Sequence, residues 1–184
     1  MANFRFEEKE HIYTLDDRRL PTVTEIVNSV YGLEYTADEF YMHKGSMLHK
    51  AVSFYLQGVL DESTVDERIR GKLEGAKKAI RELQLKPLVV EVPMYHKILM
   101  YAGTADVLTV DSILADWKSS HSKNNMIQLG GYYELLENNG YKVKQGMEIV
   151  LTEDGNYKMT ICDIKKGRRL FSAGLSVFNF KKEG

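Results

Sequence analysis

Asp116-Trp117-Lys118 places a carboxylate two residues before a lysine, directly after the apolar run Ile113-Leu114-Ala115. The run has strand composition, and successive strand side chains point to opposite faces. Asp116 and Lys118 therefore share one face, and Trp117 takes the other, where it can anchor the strand in a core. A carboxylate and an ammonium so placed suit phosphodiester hydrolysis. The carboxylate binds a hard divalent cation; the ammonium orients water or offsets charge developing on the phosphate. The triplet alone is cheap, because Asp163-Ile164-Lys165 and Glu7-Glu8-Lys9 repeat it. For an isolated match, a surface ion pair is the default.

Context separates the first triplet from the others. Asp106, in Gly103-Thr104-Ala105-Asp106, lies ten residues upstream across a turn at Asp111-Ser112. If the two strands pair with Asp106 opposite Asp116, their Cα atoms stand roughly 4.5–5.5 Å apart. Two carboxylates that close repel, and one pKa rises unless a cation sits between them. A slip of one residue would undo the arrangement. Gly103 leaves room for a phosphate backbone, or marks a strand bulge.

Further candidates flank this pair. Gly45 and His49 are four apart on one helical face, and a neutral imidazole ligates divalent metals beside carboxylates. A partly buried polar helix residue is the bland alternative. Glu91, on an expected strand over 88–92, can support a metal or its water shell, or is an exposed strand charge. Gln128 and Tyr132, again four apart, offer an amide and a phenol to a base or phosphate; amphipathic packing explains them equally. His121 and Lys123, in the loop between, are phosphate contacts of low specificity.

The elements that must position these residues are legible from pattern. Residues 3–14 read as a small hairpin around a polar turn. Thr22-Val23-Thr24-Glu25 is a capping box opening a helix through Val30, stopped at Gly32. Thr36-Ala37-Asp38-Glu39 repeats the pattern and opens a helix to about Gln57. Ile69, Leu73, Ala76, Ile80 and Leu83 give a regular helix over 65–83. Strands follow over 88–92, 101–108 and 113–118, then a helix from about Asn125 to Glu137. Met147, Ile149 and Leu151 alternate on a strand, Asp154-Gly155 turns into another with Tyr157, Met159 and Ile161, and a helix through Leu170, Leu175 and Phe178 closes the chain. This order implies an α/β fold: a central mixed sheet flanked by helices, with a small N-terminal hairpin.

Bulk properties set outer limits. The 184 residues suit a single domain spanning 1–184 and long enough to bury a core. A lone cysteine, Cys162, excludes an internal disulfide and any Cys-rich metal site, so a metal must be held by oxygen and imidazole. No apolar run nears the roughly 20 residues that span a bilayer, and no signal-peptide core opens the chain, so an intracellular protein without membrane association is expected. Net charge is -1, but a local groove is enough to bind a phosphate backbone. The basic cluster Lys165, Lys166, Arg168, Arg169, Lys181 and Lys182 is either a DNA-facing or a solvated helix face.

The series Gly45/His49, Glu91, Gly103/Asp106, Asp116/Lys118 and Gln128/Tyr132 resembles, in order, the GxxxH, Glu, GxxD, DxK and QxxxY motifs of the RecB-like branch of the PD-(D/E)XK nucleases. His11-Ile12-Tyr13 and Leu20 through Ile26 are also similar to phage exonucleases and mitochondrial genome maintenance exonucleases. The resemblance implies a restriction-endonuclease-like core over about 36–162. It implies that Mg²⁺ or Mn²⁺ is held by His49, Asp106, Asp116 and the carbonyl of Trp117, with Asp106, Asp116, Lys118 and Glu91 catalytic. Gly45, Gln128 and Tyr132 would contact substrate, and Lys123 joins them as a candidate on its loop position alone. The implied activity is DNA hydrolysis, as an exonuclease favouring single-stranded ends, in a bacterial or phage-encoded cytoplasmic protein with replication or recombination proteins as partners. The four cysteines that bind an iron–sulfur cluster in some relatives are missing, as is a helicase domain. Two other readings fit the residues: a non-catalytic nucleic-acid-binding module of this fold, and an α/β interaction domain with coincidental motifs.

Overall fold

The computed structural model describes residues 2–32 and 39–183, with side chains for all of these but 39–43 and 183. Thr36, Ala37 and Asp38 of the second expected capping pattern lie outside the described residues.

The N-terminal segment is a three-stranded antiparallel sheet, β1 (Phe4–Glu7), β2 (Ile12–Leu15) and β3 (Arg18–Leu20), one strand more than the expected hairpin. Asp16 and Asp17 make the second turn with φ of 48° and 62°, the two left-handed residues of a type I′ turn. Aspartate tolerates that region because its short side chain can bond locally. The helix α1 (Val23–Tyr31) follows with the capping box as read: Thr22 Oγ1 accepts from the Glu25 amide at 3.0 Å.

Two helices come next, α2 (Glu39–Gln57) and α3 (Glu67–Glu82), the latter capped by Asp66. The remaining elements are β4 (Pro87–Val90), β5 (Pro93–Tyr95), β6 (Ala102–Thr104), β7 (Val107–Thr109), β8 (Ile113–Lys118), α4 (Asn125–Asn138), β9 (Gln145–Leu151), β10 (Tyr157–Cys162) and α5 (Ile164–Glu183). The central sheet is mixed, in the order β10-β9-β8-β7-β4, with β8 and β9 parallel and the other pairs antiparallel. The α4 crossover between β8 and β9 is what parallel pairing requires. β5 and β6 form a separate two-stranded sheet.

Two corrections bear on the site. The strand expected over 101–108 is broken at Ala105-Asp106 into β6 and β7, which pair with different partners. The strand expected over 88–92 ends at Val90, and Glu91 leaves it with φ of +45°. Its amide donates to the carbonyl of Asp106 at 3.1 Å, so the two irregularities hold each other.

Helices cover both faces. Leu108 and Leu114 pack against α1, α4 and α5 through residues such as Ile26, Leu129, Leu135 and Phe171. On the opposite face Val107, Trp117 and Ile149 pack with Leu48 of α2 and Leu73 of α3. The parity expected for β8 is therefore present, since Trp117 is buried among the α2 and α3 side chains. α4 and α5 meet main chain to main chain: a Cβ on Gly130 would land on Gly167, and one on Gly167 on the Met126 carbonyl.

Candidate active site

Asp116 and Lys118 project from the end of β8 on the α4 side, and Lys118 Nζ lies 2.8 Å from Asp116 Oδ2. The contact is ionic rather than directional, for Oδ2 is fully buried and has no aligned hydrogen-bond donor. β7 pairs with β8 as Val107↔Ala115 and Leu108↔Leu114. Continued by one step, that register sets Asp106 opposite Asp116. The ladder stops there, and the Asp106 side chain takes over: its Oδ2 accepts from the Trp117 amide at 2.8 Å. Its Oδ1 lies 3.1 Å from His49 Nδ1, reaching in from α2. Glu91, turned out of β4, completes a group in which ligand atoms of His49, Glu91 and Asp106 all fall within 4.8 Å of one another.

Electrostatics follow from this crowding. Burial, reinforced by the charge of Asp106, pushes the Asp116 carboxyl up to about 6 against the pull of Lys118. Burial also raises Glu91, and Asp106 adds to the effect. For His49, burial favours the neutral ring, but the charge and hydrogen bond of Asp106 outweigh it and carry the imidazole up to about 9. Asp106 is held low despite its burial, chiefly by His49. The site therefore holds more acidic charge than its own cations satisfy. Oxygen-rich donors with one imidazole and excess negative charge fit a hard divalent cation.

The site opens into a cleft of about 1010 Å³, lined by Gly45, His49, Glu91, Asp106, Asp116, Lys118, Gln128 and Tyr132 among others. Eight of the candidate residues thus meet in one place; Gly103, His121 and Lys123 do not line it, and Lys123 is exposed in the loop before α4. Gln128 is a bridge: its Oε1 accepts from Lys118 Nζ at 3.1 Å, and its Nε2 donates to Tyr132 Oη at 3.2 Å and Thr24 Oγ1 at 3.1 Å. It holds the lysine as well as facing the cleft. Gly103 makes room for protein, not for a phosphate, because a Cβ there would stand 2.9 Å from the Tyr132 ring.

One residue escaped the sequence reading. Glu148 pairs with Asp116 across the parallel β8–β9 ladder, on the same face, and is 1% exposed. Its carboxylate meets His121 Nδ1 at 2.5 Å and accepts from the Ser122 amide at 3.3 Å. His121 is thus tied to a carboxylate and fastens the loop that follows Lys118. A glutamate between Met147 and Ile149, in a strand covered on both faces, was the available signal. The basic residues of α5 do not line the cleft; Arg168 pairs with Glu134, and Lys182 lies 3.9 Å from Glu25. No helix among the described residues is long and apolar enough to cross a membrane.

No family model and no curated protein matches the chain. Among solved structures it is similar to LHK-Exo in complex with dAMP, at 14% identity and a TM-score of 0.51, over 89% of this chain and 88% of that one. At that identity the likeness establishes the fold alone.

Proposed function

We propose that the chain is a divalent-metal-dependent nuclease that hydrolyses DNA, an exonuclease favouring single-stranded ends. The carrying observation is the convergence of His49, Glu91 and Asp106 within 4.8 Å beside the Asp116–Lys118 pair, at the floor of an open cleft. The fold shared with LHK-Exo, whose structure contains a deoxynucleotide, supports DNA as the substrate.

His49, Glu91 and Asp106, whose ligand atoms converge, would hold Mg²⁺ or Mn²⁺ together with Asp116 beside them. The Trp117 carbonyl suits the set, because its amide faces Asp106 and the N–H and C=O of a strand residue point to the same neighbour. Bound there, the ion would supply Lewis-acid polarisation of the phosphate and a nucleophile at neutral pH. Lys118 is a fixed cation: Asp116 and Gln128 aim its ammonium into the cleft, where it orients the attacking water and offsets charge on the phosphate oxygens. Tyr132, raised by burial and the two aspartates, stays a neutral hydrogen-bond donor. Protein partners from replication or recombination belong to the same reading.

The test is digestion of end-labelled single- and double-stranded DNA beside a circular control, with Mg²⁺ or Mn²⁺. Linear single strands should be degraded, circles spared, and Asp116→Ala inactive though folded. Undiminished cleavage by that variant would remove the assignment.

A further inference from the structure

The two long walls of the cleft differ in kind. One is α2, which contributes Ser46, His49, Lys50, Ser53 and Gln57 at spacings of three, four or one, a single helical face. From Ser46 to Gln57 this polar stripe runs about 16 Å at 1.5 Å per residue. The other wall is the β1–β2 hairpin, which contributes the rings of Phe6 and His11 with Glu8 and Lys9 between them in sequence. The two rings meet edge to face with centroids 5.3 Å apart. Phe6 is backed by Tyr13, stacked at 4.6 Å, and the Tyr13 hydroxyl is fixed by Thr104 at 2.7 Å. His11 carries its imidazole on a backbone with φ of +55°. Glycine or asparagine serves such a turn position at lower strain, and retained strain of this kind clusters at ligand sites.

Aromatic faces on one wall and hydroxyl, amide and ammonium donors on the other match a single strand. Its unpaired bases stack on aromatic rings while its phosphates meet polar and cationic groups. In a duplex the bases are already stacked inward and phosphates line the outside, so an aromatic wall has nothing to bind. We infer that Phe6 is the stacking face for one unpaired base beside the metal site, that His11, set at right angles to it, borders that base's edge, and that the polar face of α2 carries the adjoining phosphates. The inference rests on the nuclease reading and names what makes that site select single strands. Glu8 and Lys50, 2.7 Å apart, join the hairpin to α2. Both are exposed, and an exposed pair opens easily, which frees Lys50 for a phosphate.

The experiment measures binding, apart from cleavage. Fluorescence anisotropy in EDTA compares wild type, Phe6→Leu and His11→Ala on a single-stranded oligonucleotide, a blunt duplex, and single strands with one abasic site moved stepwise from the end. Phe6→Leu keeps apolar packing on Tyr13, and melting curves confirm that both variants fold. In wild type, one abasic position should weaken binding about tenfold. In either variant, intact single strands should bind about tenfold more weakly and the abasic penalty should shrink to within about twofold, with duplex binding unchanged. Equal penalties in wild type and variants, or unaltered single-strand affinity, overturn the platform. Loss of the nuclease reading is seen separately, as absent cleavage or an active Asp116→Ala protein.

Discussion

The main-chain amide of Trp117 donates to Asp106 Oδ2 across 2.8 Å, while Asp106 Oδ1 faces His49 at 3.1 Å. One carboxylate thus stands in for a missing step of the β7–β8 ladder and fastens α2 to the sheet. Because the fold holds this group ionised, its removal is expected to destabilise the protein. Asp106→Ala leaves a buried N–H unpaired, at a cost of about 2 kcal/mol. In EDTA the melting temperature should fall by about 4–8 °C. Calorimetry should show divalent binding lost as well, and a variant with wild-type Tm would contradict the bridging role.

Asp116 should behave in the opposite sense. Its folded-state pKa stands at about 6, above its ordinary value, because of burial and then Asp106. For a carboxylate with a raised pKa, ionisation in the fold costs stability as pH rises above the ordinary value, and the full cost is present above about 6. Asp116→Asn is therefore expected to raise the Tm of the chelated protein at pH 7.5 by about 3 °C and yet abolish cleavage. Melting curves at pH 4 and 7.5 check the sign, since the gain should vanish near pH 4.

Sequence periodicity was enough to place Asp116 and Lys118 opposite Trp117, because a two-residue period needs no knowledge of partners. The α4 boundaries and the capping box at Thr22 were similarly local. Glu91 was read as a strand residue in a register it does not keep, since its left-handed turn answers the Asp106 carbonyl, a partner chosen by tertiary packing. The pairing of Glu148 with Asp116 depends on a parallel register set through α4, for which no local signal exists. β3 was missed for its three residues, although Asp16-Asp17 marked the turn before it.

Metal binding should release a proton. In the metal-free protein, His49 has a raised pKa of about 9, so its ring is protonated at pH 7.5. An imidazole ligates a metal only in its neutral form. Mn²⁺ affinity should therefore climb as pH rises from 7 toward 9, then level off. Titrations at pH 7.5 in two buffers of different ionisation enthalpy should give heats that differ by about one proton per ion. Equal heats would show that His49 is not displaced from its charged state.

Lys118 and Gln128 make a graded pair. Lys118→Ala removes the cation aimed at the phosphate and should lower kcat by about 10²–10³-fold. Mn²⁺ affinity should be retained or tightened, because a neighbouring positive charge is gone. Gln128→Ala leaves the ammonium in place without one of its two anchors, so a smaller fall, about tenfold, is expected. The double variant should be no slower than Lys118→Ala alone, because the glutamine acts through the lysine. Additive losses in a kinetic cycle would assign Gln128 a separate role on the substrate.

The contact that fixes α4 is far from the metal and should still matter to it. α4 carries Gln128 and Tyr132, and its position on α5 is set by Gly130 against Gly167 with no room for a methyl group. Alanine has the higher helix propensity, so on an isolated helix Gly130→Ala would stabilise by about 1 kcal/mol. Here the added carbon meets main chain that cannot swing aside, and overpacking costs about 1–3 kcal/mol. The net expectation is a lower Tm with a displaced α4, and kcat falling by about tenfold as the Lys118–Gln128 bond lengthens. Serine at Gly140, whose φ is +88° and whose Cβ would meet nothing within 4 Å, separates backbone strain from packing. Gly140→Ser should lower Tm without the loss of kcat, and a similar loss in both variants would refute α4 placement as the cause.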